Sequence, residues 1–305
     1  MSTIERAIDK LGQLGQGEPT DSDMEKKEGE IVGQVRARGD DPERREDELP
    51  RADDLQANEG SQPRIDLNFS KLKHSGMVTP DMERSQIAEE MRHIKRPLLL
   101  NAFGGGSLQV PNSNLIMVTS ARPGEGKTFT TINLALSIAL ERDLTVLLVD
   151  ADVAKPSVAR VLNYPGTAGL VDYLADRDRP LSELIMQTSL PKLRILPSGR
   201  RHAHSTELLA SESMSQLVKE LAKRYPDRVV LFDSPPLLAT SEAAVLAGLM
   251  GQVVMVVEAG KTKREELNEA LTQLDANQYV GLVLNKSGKP FGADYYYGGY
   301  QAYGE

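Results

Sequence analysis

The chain has 305 residues and a net charge of −8, and the charge is localised: residues 1–60 carry 9 Lys/Arg against 17 Asp/Glu, while the other 245 residues hold 27 of each. The neutral remainder offers no global basic field, so nucleic acid is excluded as an expected partner. Cysteine is absent, which excludes disulfides and thiolate metal sites, and no run approaches the ~18–20 apolar residues that span a bilayer or has the layout of a signal peptide, so a soluble cytoplasmic protein is expected.

Residues 1–65 are rich in Glu, Asp, Arg, Gly and Gln and poor in aromatic and β-branched residues. They cannot bury enough surface to offset ordering entropy. A disordered acidic N-terminal segment is expected as far as residue 78, with a short helix at Ser2–Leu14, serving as a solubilising tail or a regulatory arm. Thr79 to Ala102 reads as a helix opened by Thr79-Pro80 and interrupted at Pro97. Ile87, Met91 and Ile94 make its apolar stripe, and Glu89, Arg92 and Lys95 follow three apart along a neighbouring face. Taken alone, that charged face is a solvated one with weak intrahelical pairs.

The apolar run Leu115–Thr119 then breaks into Ser-Ala-Arg-Pro-Gly-Glu-Gly-Lys-Thr (120–128), followed by a helix from Lys127 to Leu140. A strand feeding a glycine turn at a helix N-terminus is a phosphate-binding loop, because its amides and the helix dipole converge on an anion. Gly124 and Gly126 permit close approach, Lys127 reaches the β/γ-phosphates and Thr128 is a Mg²⁺ ligand, although Ala121 stands where the general pattern has its first glycine. Pro123, Glu125 and Phe129 complete the expected nucleotide contacts of the loop.

Strands at Thr145–Asp150, Leu193–Leu196, Arg228–Asp233, Gln252–Glu258 and Tyr279–Asn285 alternate with short helices through Leu184 and with helices at about Ser205–Arg224, Ser241–Gly248 and Arg264–Asn277. Near-continuous apolar strands separated by helices predict an α/β fold, a doubly wound, mostly parallel sheet with helices on both faces. Ligands bind at the carboxyl ends of such strands. Three of them end in chemistry: the phosphate loop, Asp150-Ala151-Asp152, and Asp233-Ser234-Pro235-Pro236. His202 and His204 lack a third nearby ligand and read as a solvated loop.

Together, residues 120–128, Leu-Leu-Val-Asp-Ala-Asp-Val-Ala-Lys-Pro (147–156) and Val-Val-Leu-Phe-Asp-Ser-Pro-Pro (229–236) resemble the three nucleotide motifs of bacterial tyrosine autokinases. These are the P-loop kinases of exopolysaccharide and capsule loci. The resemblance covers roughly residues 80–305 and looks closest to the exosortase-associated branch. It implies ATP and Mg²⁺ as cofactors, and a ring-forming element at Glu89-x-x-Arg92-x-x-Lys95, where the lysine cannot make a bidentate fork. It also places Asn285 beside the adenine. Ala154 stands where the family usually has a basic residue, with only Lys155 following.

For phosphoryl transfer, Lys127 and the loop amides are assigned to the β/γ-phosphates and Thr128, Asp150 and Asp233 to Mg²⁺. Asp152 is the candidate that orients or deprotonates the tyrosine hydroxyl, whose free pKa is ~10, though Asp150 and Asp152 could exchange roles. The acceptors are at the C-terminus: Tyr295, Tyr296, Tyr297, Tyr300 and Tyr303 crowd into a glycine-spaced segment with no packing period. A parallel last strand ends at the phosphate-loop edge, and the chain from Asn285 to Tyr295 reaches roughly 33 Å, enough to serve a neighbouring subunit. By resemblance the partners are further copies of the chain, a membrane polysaccharide co-polymerase that recruits it to the inner face of the membrane, and a tyrosine phosphatase. The rivals are a partitioning-type switch ATPase and a non-catalytic tyrosine-tail scaffold.

Overall fold

The computed structural model describes residues 63–288, apart from 83–84, 105–109, 177–178, 225–226 and 277. The expected helix at Ser2–Leu14, the bulk of the acidic N-terminal segment, and the acceptor cluster Tyr295–Tyr303 lie outside the described residues.

The described chain builds one eight-stranded sheet. Its strands are β1 (Arg64–Ile65), β2 (Leu115–Ser120), β3 (Thr145–Asp150), β4 (Met186–Thr188), β5 (Leu193–Leu196), β6 (Arg228–Asp233), β7 (Gln252–Glu258) and β8 (Tyr279–Asn285). They lie in the order β1-β4-β5-β3-β6-β2-β7-β8. Neighbours run parallel except β4 and β5. Every residue of β2 and β6 is buried, which is why these strands read as continuous apolar runs instead of alternating ones.

Alternate side chains feed two cores. Ile116 and Val118 join α1 (Phe69–His74), α2 (Gln86–Phe103) and α3 (Lys127–Ala139) on one face. Leu115 and Met117 join α5 (Leu170–Ala175), α7 (Glu212–Arg224), α8 (Ser241–Gly248) and α9 (Arg264–Leu271) on the other. Two short helices, α4 (Val158–Leu162) and α6 (Ser205–Leu209), lie in the connections after β3 and β5.

Several expectations are corrected. Residues 63–78 do not belong to a disordered segment: β1 pairs with β4, Ile65, Leu67, Leu72, Met77 and Val78 are buried, and the Val78 N–H donates to Asn133 Oδ1 at 2.8 Å. The acidic composition upstream masks these few anchoring residues. The helix expected from Thr79 begins only at Gln86, where the Ser85 hydroxyl caps the Ala88 N–H at 3.3 Å, after a 3₁₀ turn at Pro80–Met82. It then runs through Pro97, since a proline deletes one amide donor and tertiary packing holds the rest: Gln252 Nε2 donates to Leu98 O at 3.0 Å and Asn101 Nδ2 to Gln252 Oε1 at 3.0 Å. The single helix expected over 205–224 is two, α6 and α7, and α9 stops at Leu271, short of 277.

Candidate active site

The loop between β2 and α3 is shaped from two sides. Gly124 and Gly126 have φ of +92° and +104°, a left-handed geometry that glycine adopts without strain. A Cβ on Gly126 would lie 2.0 Å from Asn285 Nδ2. From β8, Asn285 Nδ2 donates to Glu125 O at 2.8 Å and Lys286 Nζ to Gly124 O at 2.7 Å. Carbonyl and amide of a trans peptide point in opposite directions, so drawing these two carbonyls toward β8 turns the Glu125 and Gly126 N–H groups the other way, as an anion cradle requires. The Glu125 side chain does not reach outward: it is buried, accepts the Arg122 N–H at 2.9 Å and accepts the Thr262 hydroxyl. Its carboxylate braces the loop, leaving its backbone amide for a ligand.

Sheet register sets the acids. Asp150 and Asp233 are direct partners across β3 and β6, and Val118 of β2 is level with Asp233. Both carboxyls are fully buried. Thr128 Oγ1 donates to Asp233 Oδ2 at 2.7 Å and Thr131 Oγ1 to Oδ1 at 3.2 Å. Burial pushes the Asp233 carboxyl up to about 6, against the opposing pull of Lys127 and Thr128. Asp150 is raised well above the usual carboxylate range by burial and by the facing Asp233. Its Oδ2 accepts the Val158 N–H at 3.3 Å, and its Oδ1 has no partner among the described residues.

An unpartnered carboxylate oxygen, a second buried carboxylate and a hydroxyl make a hard-oxygen donor set that fits Mg²⁺. Among the described residues no group of three or more His, Cys, Asp or Glu is placed to hold a metal unaided. An ion completing its shell from phosphates and water has no need of one.

Lys127 Nζ lies 2.6 Å from Asp152 Oδ2, and Asp152 Oδ1 accepts the Lys155 N–H at 3.1 Å. Above this pair opens a cleft of about 320 Å³. Pro123, Gly124, Gly126, Lys127, Thr128 and Phe129 form its loop side. Asp152, Lys155, Ser157 and Arg160, from the segment after β3, line the cleft as well. Arg160 is absent from every motif above; only its place on α4, eight residues beyond Asp152, brings it here. Asn285 clamps the loop from behind.

The ring-forming triad is only partly together. Glu89 and Arg92 pair on the surface of α2. Lys95 turns inward, with its side chain 7% exposed, donating to Ser137 O at 2.8 Å and pairing with Glu141 Oε1 at 2.5 Å. The last turn of α3 leaves carbonyls without intrahelical donors, and they attract a cation. Lys95 therefore anchors α2 to α3 within the chain and does not share the exposed face expected of it.

A family model described as an AAA domain matches residues 113–278. The tyrosine-protein kinase CpsD of Streptococcus agalactiae is 31% identical over 196 residues, covering 63% of this chain and 82% of that protein. The tyrosine-protein kinase YwqD of Bacillus subtilis strain 168 is 34% identical over 172 residues, covering 56% and 71%. The crystal structure of the chimerical protein CapA2B2 superposes with a TM-score of 0.60 at 26% identity, covering 78% of this chain and 99% of that one.

Proposed function

The chain belongs to the bacterial tyrosine-protein kinases, and from that premise we propose that it transfers the γ-phosphoryl group of Mg·ATP to its own C-terminal tyrosines, Tyr295, Tyr296, Tyr297, Tyr300 and Tyr303. The observation that carries the reading is the end of β8. Lys286, nine residues before Tyr295, donates to the carbonyl of Gly124 in the phosphate loop, which supports delivery of the acceptor segment to the nucleotide.

The loop amides and Lys127 bind the β/γ-phosphates. Thr128, Asp150 and Asp233 would hold Mg²⁺, which supplies neutralisation of phosphate charge when bound. The Lys127–Asp152 pair gives the mechanism its order. While Lys127 rests on Asp152, that carboxylate is occupied. Phosphates draw the ammonium away, and Asp152 is then free to orient the tyrosine hydroxyl and accept its proton. Base action therefore waits for nucleotide.

Transfer occurs between subunits of a ring, with Glu89 and Arg92 in the contact, and a membrane polysaccharide co-polymerase recruits and activates the kinase. A phosphatase resets the tail, and the output is control of exopolysaccharide polymerisation and export. The reading is supported by the loop geometry, the converging acids and the similarity to named kinases. The test is incubation of the purified chain with Mg·ATP, with and without Lys127→Met, followed by intact-mass and peptide mass spectrometry. Phosphates on Tyr295–Tyr303 that vanish in the variant are expected. ATP consumption with an unmodified tail, with or without a membrane activator, would point to the switch ATPase.

A further inference from the structure

The mechanism leaves two cations in the cleft unused. Lys155 and Arg160, from the segment after β3, line the cleft beside the phosphate loop, and both are exposed. Among the described residues neither side chain has a hydrogen-bond or ion-pair partner. Lys127, the loop's own cation, is held by Asp152, the one carboxylate among the described residues that line this cleft. Among the residues that line the cleft, three cations stand against this one carboxylate, and the buried Asp233 behind Thr128 acts on Lys127, not on Lys155 or Arg160.

The mount of this pair is firm. The Lys155 N–H is fixed on Asp152 and the Val158 N–H on Asp150. Arg160, two residues beyond Val158, is carried by a helix pinned to the buried acids. Ala154 contributes no polar side chain to the cleft.

We propose that Lys155 and Arg160 form a second phosphoryl subsite, which takes a phosphotyrosine adjacent to the tyrosine being phosphorylated. This rests on the tail being the acceptor. Tyr295, Tyr296 and Tyr297 are consecutive, so after the first transfer the neighbouring acceptors enter the cleft accompanied by a group of roughly −1.5 to −2 charge. An unpaired guanidinium forks onto such a phosphate, and the ammonium adds a point charge. The ATP phosphates have their own cradle in the loop amides and Lys127. One modification of the tail thus favours the next, and multiply phosphorylated tails accumulate ahead of singly phosphorylated ones.

The test is binding without turnover. Full-length protein holding Mg·ADP is titrated into a dye-labelled peptide of residues 294–305, either unmodified or carrying phosphotyrosine at Tyr296, and anisotropy is read. The chain's own tail competes equally with both peptides. The phosphopeptide should bind about tenfold more tightly, the scale of a charge-assisted hydrogen bond. The gap should collapse in Arg160→Gln and largely return in Arg160→Lys, with melting temperatures confirming that the variants fold. Equal affinities in the unaltered protein would overturn the proposal, as would a gap that survives in the double variant Lys155→Gln/Arg160→Gln. Loss of Mg·ATP affinity in Arg160→Gln with the gap intact would assign the arginine to the nucleotide and equally overturn it. Because no turnover is read, absence of autophosphorylation would refute the acceptor reading without altering this measurement.

Discussion

Replacing Asp233 by asparagine should stabilise the nucleotide-free protein at neutral pH while disabling its site. Asp233 is fully buried and stands directly opposite Asp150 in the sheet. Its carboxyl titrates at about 6 in the fold against 3.8 for an ordinary aspartate. A group whose proton is held more tightly in the folded state contributes its full stability below the unfolded value, and that stability is lost as pH rises through the folded one. The window therefore runs from 3.8 to about 6, and its span corresponds to roughly 3 kcal/mol. The Asp233→Asn side chain keeps an acceptor for Thr128 or Thr131 and carries no charge. Lys127 keeps its partner Asp152. At pH 7.5 without nucleotide the variant should recover much of that energy, a rise in Tm of roughly 5–10 °C. The assay is thermal unfolding followed by circular dichroism in EDTA, from pH 4.5 to 8, then with Mg·ATP. The advantage should shrink on acidification and reverse with Mg·ATP, which stabilises only the unaltered protein. A variant no more stable than its parent at pH 7.5, or a gap indifferent to pH, would refute the electrostatic reasoning.

Two further outcomes follow from the clamps. Lys286→Met removes the donor on Gly124 O and should weaken Mg·ADP binding by about tenfold in calorimetry. Lys286→Gly, which relieves the left-handed φ of +55° but also lacks the ammonium, should bind as weakly as Lys286→Met, whereas tight binding by the glycine variant would show that backbone geometry alone aims the loop. Lys95→Ala strips a buried donor from Ser137 O and should cost about 1–3 kcal/mol, read as a lower urea midpoint. Loss of assembly with unchanged stability would show instead that the lysine serves an interface.

How much of this was legible in the sequence varies with how local each signal is. The strands β2, β3, β6 and β7 announce themselves because both faces of a parallel sheet are covered; β8 reads as an equally apolar run although Leu282 and Leu284 are exposed at the sheet edge, and Lys127, Thr128, Asp152 and Asp233 stand within two residues of a strand or helix end. Strands β1 and β4, two and three residues long, have no period to detect and exist through backbone pairing with distant partners. Lys95 departs from the neighbouring face that its three-residue spacing suggests. Six residues at about 100° each carry it ~120° around the helix from Glu89, onto the stripe of Ala88, Met91 and Leu98 that is buried. The brace of Glu125, the clamp of Lys286 and the position of Arg160 depend on contacts spanning long stretches of chain, and nothing in local composition encodes them.

The edge position of β8 has a mechanical consequence. Among the described residues the strand is joined to the sheet on one side only, through seven register pairs from Gln252–Tyr279 to Glu258–Asn285. Its two grips on the phosphate loop, Asn285 and Lys286, stand at the end from which the tyrosine-bearing segment departs. Tension applied through that segment loads these two hydrogen bonds together with the last rung of the ladder, where the Ala259 N–H donates to Asn285 O at 2.9 Å, before the rungs behind it share the force. Whatever takes hold of the tail thereby pulls first on the peptides that aim the loop amides, so the grip on the tail and the grip on the nucleotide act in series.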